Sequence, residues 1–287
     1  MGHGMTDGRI AWLDGEYVPL AEAKVSAQDR GFLFADGIYE VTAVLDGRLV
    51  ESASHMARLE RSAASLDIAL PIPTSEIEAI QQELVVRNGL VEGGIYIQLT
   101  RGAAERDFLS EPTHPTLLLF TQARNVVANP AAETGIEVIT MPDIRWKRRD
   151  IKSVMLLAQV LAKRAARDAG AQEAWLVEDG YVTEGASSTA YIVTQAGALV
   201  ARPNSQAILP GCTRIGALAA AEQMGLTIEE RLFTVEEALG AREAMLSSAS
   251  NFVLPIVRID GQAIGDGRPG PVARELRRLY IEAARAA

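Results

Sequence analysis

The sequence predicts two α+β domains. Strand-like and helical segments are interleaved but never settle into a regular strand–helix alternation, which argues against a single doubly wound sheet. An irregular stretch rich in Ala, Asn and Pro, residues 125–134, divides the elements into two sets. The 287 residues are enough for two ordinary cores. The expected boundaries are an N-terminal domain over 1–124, a linker over 125–134 and a C-terminal domain over 135–287.

In chain order, Tyr39 to Leu45 has the apolar and β-branched content of a strand, Asp46-Gly47 signals a hairpin, and Arg48 to Glu51 is the return strand. Ser54 to Ile68 carries Met56, Leu59, Ala63 and Leu66 at helical spacing. Thr74 to Asn88 repeats the pattern with Ile77, Ile80, Leu84 and Val85, and Gly89 supplies a stop. Strands follow at Ile95 to Thr100 and Leu117 to Thr121.

Beyond the linker, Ile136 to Met141 reads as a strand and Ser153 to Ala169 as a long helix. Strands at Ala174 to Val177 and Thr189 to Thr194 flank a turn at Asp179-Gly180. Thr213 to Met224 is an Ala-rich helix, Ala244 to Ser247 a buried strand, and Pro271 to Ala287 a basic amphipathic helix.

Composition narrows the function. Hydrophobic residues make up 48% and charged residues 23%, a globular profile. A net charge of −9 gives no general attraction to nucleic acid or anionic membranes, and the one dense basic run, Lys147-Arg148-Arg149, is too short to reverse that. No apolar run reaches the ~20 residues of a membrane span. Met1 to Met5 lacks the pattern of a secretory signal and suits a tag remnant. A single cysteine, Cys212, excludes an internal disulfide and fits a reducing cytoplasm. With only His3, His55 and His114 besides, no spaced metal motif can be assembled.

Gly265 to Gly270 matches the dinucleotide fingerprint by letters, yet Pro269 and Pro271 suit a loop and too little chain follows for an acidic ribose ligand. The stretch from Gly185 to Thr189 lacks the second glycine of a nucleophile elbow.

Lysine is scarce: Lys24, Lys147, Lys152 and Lys163 stand against 24 arginines. A lysine retained where arginine otherwise supplies the charge suggests chemistry that arginine cannot do, namely losing its proton and attacking a carbonyl. Lys152 stands apart from the others, between Ile151 and Ser153 ahead of the apolar run Val154-Met155-Leu156-Leu157. On position alone it also suits a helix-start lysine with a solvated head.

The surrounding strings decide between these. Asp143-Ile144-Arg145-Trp146, Asp150-Ile151-Lys152-Ser153 and Val182-Thr183-Glu184-Gly185-Ala186-Ser187-Ser188 occur in this order, preceded by Asp29-Arg30-Gly31-Phe32, Asp36-Gly37-Ile38-Tyr39-Glu40 and His55-Met56-Ala57-Arg58-Leu59. In these strings the chain resembles the fold-type IV pyridoxal-5′-phosphate (PLP) aminotransferases, and within them the D-amino-acid transaminases, from about Trp12 to near the C-terminus. The resemblance implies a smaller N-terminal and a larger C-terminal α/β domain with the cofactor between them, in a cytoplasmic homodimer.

It also implies roles. Lys152 would form the internal Schiff base and then carry the proton between substrate and cofactor. Glu184 would keep the pyridine nitrogen protonated so that the ring can accept electrons. Backbone N–H groups of Cys212 and Thr213, with the Thr213 hydroxyl, would hold the phosphate at a helix start. Ser248, Ala249 and Ser250 match a second phosphate loop, Arg58 the arginine on the phosphate, and Leu209 a residue packed on the ring.

In the D-amino-acid enzymes a Tyr, an Arg and a His hold the substrate carboxylate, the last two from the neighbouring subunit. Here Tyr39 and Arg106 match, while Phe108 stands in the His position. The expectation is weaker or less exclusive carboxylate binding, with (R)-amines tolerated. The substrates implied are amino acids and 2-oxo acids. Alternatives are a branched-chain L-amino-acid aminotransferase, an aminodeoxychorismate lyase and a PLP-binding protein without turnover; the Arg106 match favours the D-amino-acid reading.

Overall fold

A computed structural model describes residues 8–112 and 114–286. The suggested tag remnant lies outside the described residues. The chain forms two compact units, one of Met1–Asn125 with Ile151–Met155, the other of Val126–Asp150 with Leu156–Ala287.

The first unit contains β1 (Ile10–Leu13), β2 (Glu16–Pro19), α1 (Arg30–Phe34), β3 (Gly37–Leu45) and β4 (Arg48–Leu49). It continues with α2 (Ser52–Ser65), α3 (Thr74–Arg87), β5 (Gly93–Thr100) and β6 (Thr116–Ala123). The strands build one antiparallel sheet, ordered β2-β1-β6-β5-β3-β4. Period-2 burial along β5 sends Ile95, Ile97 and Leu99 into the core, and Leu59 of α2 and Ile77 and Leu84 of α3 are fully buried as well. The β3–β4 turn has Asp46 and Gly47 both at positive φ, the backbone that an Asp-Gly hairpin requires.

The second unit holds α4 (Ala131–Thr134), β7 (Ile136–Pro142), α5 (Leu157–Asp168), β8 (Glu173–Glu178), β9 (Tyr181–Gly185) and β10 (Thr189–Val193). After these come β11 (Leu199–Ala201), α6 (Cys212–Gln223), β12 (Ile228–Glu230) and α7 (Val235–Leu239). The last elements are β13 (Glu243–Ser248), β14 (Phe252–Ile259), β15 (Gln262–Ala263) and α8 (Pro271–Ala286). The sheet runs β12-β11-β10-β13-β14-β7-β8-β9, with β15 on β14. It is mixed: β11–β12, β14–β7 and β7–β8 pair in parallel. Trp175 and Phe233, in edge contact at 5.8 Å, anchor one core, and α6 and α8 cover another around Tyr191, Met245 and Leu276.

Several expectations shift. Residues 125–134, expected as a linker, carry α4 and bury Ala132 in the core of the second unit. The helix expected from Ser153 begins only at Leu157. The four preceding residues are not helical, because Ser153 bridges Ile38 and the Val154 N–H donates to the Gly37 carbonyl at 3.0 Å. The fingerprint-like glycines form a loop into α8, whose first N–H groups, those of Val272 and Ala273, already donate to the Glu243 carboxylate at 3.0 and 2.9 Å. No anion is needed there. Among the described residues no helix is long and apolar enough to cross a membrane.

Candidate active site

In the first unit the geometry centres on Lys152. Its carbonyl accepts the Tyr39 N–H at 2.9 Å, and its own N–H donates to Ser62 Oγ at 3.3 Å. A short strand-like stretch is thereby laid along the start of β3, with the side chain directed to the Tyr39 ring: Nζ lies 4.2 Å from the ring centre. The residue is half-buried, and among the described residues its ammonium makes no ion pair. Lys147 and Lys163, by contrast, pair with Glu178 and Glu173. An amine held at the face of a ring is placed where a primary amine can meet a carbonyl.

Behind Tyr39, itself stacked on Tyr96 at 5.7 Å, lies a buried ionic group. Glu40 accepts two hydrogen bonds from Arg58, from Nε at 2.6 Å and Nη2 at 2.8 Å, and a third contact joins it to His55 Nδ1 at 2.9 Å. Burial pushes the Glu40 carboxyl upward, but Arg58 and His55 outweigh it and hold the group well below the ordinary carboxylate range. Arg58 and Ser62 are one turn apart on α2, so one helix face supplies both the buried cation and a backbone contact to Lys152. Arg106 and Phe108 gather instead on Phe34, and neither has a hydrogen bond or ring contact to Lys152 or Tyr39 among the described residues.

In the second unit Glu184 lies near the end of β9, almost fully buried. Arg145 Nη1 donates to it, as does the Leu209 N–H at 3.2 Å. Arg145 Nε and Nη2 donate to Asp143, which also accepts from Thr183 at 2.7 Å. Burial raises the Glu184 carboxyl above its ordinary pKa, and the pull of Arg145 and the Leu209 N–H does not cancel that.

The start of α6 lies beside it in the fold. Gly211 precedes α6 in an extended conformation, and no side chain caps the helix, leaving the first-turn N–H groups of Cys212 and Thr213 pointing at an uncapped end. A Cβ at Gly211 would lie 2.9 Å from Thr189 Oγ1. Thr189 is opposite Ser247 across β10 and β13, so the turn after Glu184, the start of α6 and the loop after β13 converge. In that loop Ser248 Oγ and Ser250 Oγ lie 3.4 Å apart, with Ala249 between them. Arg145, Asp143, Thr189, Glu40 and His55 received no role from sequence reasoning. The spacing of Asp143 and Arg145, two apart in an extended run, was the one signal that they share a face.

Residues 37–259 match the family Amino-transferase class IV. The chain is 40% identical, over 94% of its length and 97% of the relative's, to a D-alanine aminotransferase of Staphylococcus haemolyticus. A D-alanine aminotransferase of Bacillus licheniformis is 38% identical over 92% of this chain and 93% of that one. Among solved structures, a T.th. branched-chain amino acid aminotransferase with pyridoxamine 5′-phosphate superimposes with a TM-score of 0.89 at 26% identity, covering 96% of this chain and 94% of that one. The branched-chain aminotransferase of Escherichia coli shares the fold, with a TM-score of 0.85 at 21% identity over 96% and 94% of the two chains. The chain therefore belongs to the class IV amino-transferases, a fold-type IV family that works with pyridoxal 5′-phosphate.

Proposed function

We propose that this enzyme is a D-amino-acid transaminase, moving the amino group of a substrate such as D-alanine or D-glutamate to a 2-oxo acid. The observation that carries the reading is 40% identity to a D-alanine aminotransferase along nearly the whole chain, against 26% to a branched-chain enzyme. The chain's own groups fit PLP: an amine with no ion pair among the described residues, a buried carboxylate whose pKa burial raises, and a helix start whose glycine leaves little room for a Cβ.

When bound, the cofactor supplies an aldehyde that takes up the amino group and a ring that accepts electrons. Lys152 would hold the cofactor through its amine, and the same Nζ would serve as the group that moves a proton at the substrate Cα. Glu184 would hold the ring nitrogen protonated, with Arg145 favouring the ionised form of the carboxylate. The N–H groups of Cys212 and Thr213, the Thr213 hydroxyl, the Ser248-Ala249-Ser250 loop and Arg58 would receive the phosphate, and Leu209 would pack on the ring. Tyr39 and Arg106 take the substrate carboxylate, while Phe108 offers an apolar wall that admits (R)-amines. The protein acts as a cytoplasmic homodimer.

The test is to supply the holoenzyme with D-alanine or L-leucine and 2-oxoglutarate. D-Alanine consumption with D-glutamate formation is expected; consumption of L-leucine alone would make it a branched-chain enzyme. Turnover of (R)-1-phenylethylamine is expected alongside, and its complete absence together with a low D-alanine KM would remove the proposed role of Phe108.

A further inference from the structure

We propose that Arg30 and Phe34 of α1 are positioning residues for substrate recognition, holding the loop over 105–109 so that Arg106 is set to receive the substrate carboxylate. The proposal rests on the assignment of Arg106 above. The segment from Arg101 to Pro115 has no helix or strand of its own among the described residues, and Arg106, Phe108 and Leu109 are exposed on it. Such a loop would have to be ordered each time substrate binds, at a cost in affinity. Here the ordering is already built in.

The Arg30 side chain is 8% exposed and uses all of its edges. Nε donates to Asp36 Oδ2 at 2.9 Å, Nη1 to the Asp107 carbonyl at 2.7 Å and Nη2 to the Phe108 carbonyl at 3.2 Å. The two residues after Arg106 are thus gripped by one buried cation. The other face of that grip is Phe34, whose ring centre lies 4.9 Å from the Arg30 guanidinium carbon, 5.5 Å from that of Arg106 and 5.3 Å from the Phe108 ring. A cation over a ring face is directed as well as attracted, so Phe34 sets where the Arg106 head group lies. Asp36 fixes the base of the clamp by also accepting Arg101 Nε at 2.8 Å. Backbone bonds from Arg30 N to the Gly102 carbonyl, at 2.9 Å, and from Arg101 N to the Asp36 carbonyl, at 3.1 Å, tie the loop's stem to the start of the short helix and to the residue two past its end. Lysine could keep the charge at position 30 but not the three-way geometry, because its ammonium lacks the planar fork.

The experiment is a double-mutant cycle on the holoenzyme with D-alanine as donor. Arg30→Lys is expected to raise the D-alanine KM about tenfold with kcat held within roughly twofold, the pattern of lost uniform binding. Cofactor absorbance and thermal midpoint should stay at the wild-type values. Arg106→Gln should raise KM at least as far, and the double variant should be no worse than Arg106→Gln alone, since Arg30 acts through Arg106. A folded Arg30→Lys enzyme with wild-type KM, or full additivity in the double variant, would overturn the positioning role while leaving Arg106 in place. An Arg106→Gln enzyme with unchanged KM would instead remove the carboxylate assignment and the proposal with it. If Arg30→Lys does not fold, Phe34→Leu, which leaves the carbonyl clamp intact, carries the same three readouts.

Discussion

Glu184 is caught between burial, which favours its neutral form, and Arg145, which favours its charge. Replacing it with Gln removes the charge but keeps the shape. The expected result is a kcat loss of about 10²–10³-fold, the scale of one lost electrostatic stabiliser, with the cofactor still fixed to Lys152 by borohydride. Replacing Arg145 with Leu should move the acidic limb of the pH–kcat profile to higher pH, because the carboxylate then ionises less readily; an unmoved limb would mean Arg145 has no hold on it. Glu40 works in the opposite direction. Its carboxyl lies below the ordinary range in the folded chain, so the stability it contributes is complete above that range and is lost as the pH falls through it. Glu40→Gln, which leaves Arg58 buried without its carboxylate, should cost about 3–5 kcal/mol at neutral pH. The gap from wild type should narrow in acid, as read from urea unfolding at each pH.

Helix α8 shows how an element end can be closed from within. Glu243 of β13 is buried and takes the N–H groups of Val272 and Ala273, the role an anion plays at other helix starts. Gly270 makes room for it: a Cβ there would lie 2.0 Å from the Glu243 carboxyl carbon. Gly270→Ala should therefore destabilise by about 1–3 kcal/mol through overpacking, seen as a lower urea midpoint with the D-alanine KM unchanged. Helix α6 is the contrast, since its first turn has no side-chain cap. Helix α5 has two faces: Ala162 and Ala166 pack on β8, while Leu157, Val160 and Leu161 face outward and are 70%, 41% and 45% exposed.

At the scale of the molecule, that outward aliphatic stripe is what a subunit contact would cover. The proposed homodimer should sediment with twice the mass of one 30.8 kDa chain. Leu161→Glu should shift it toward the monomer and lower activity in proportion; a wild-type monomer with full activity would dispose of the dimer.

Much of this protein was legible in its sequence, and for a common reason. Helices α2, α3 and α8 announce themselves through local apolar spacing, and the β3–β4 hairpin through Asp46-Gly47. Lys152 and Glu184 stood out because their strings follow one another in a fixed order. What escaped depends on partners far away in the chain. Strand β14 is buried almost throughout and interrupted by Pro255, so it has no alternation to read. Ser153 and Val154 looked helical but are held extended by Ile38 and Gly37, more than a hundred residues earlier. The reach of Arg145 to Glu184, the clasp of Arg58 on Glu40 and the grip of Arg30 on the Arg106 loop are likewise products of folding. Sequence alone determined which residues could do the chemistry, because residue type sets what a group can donate, accept or attack. Tertiary structure decided how strongly each would do it, because burial and the charges brought beside a group set its proton affinity and its direction.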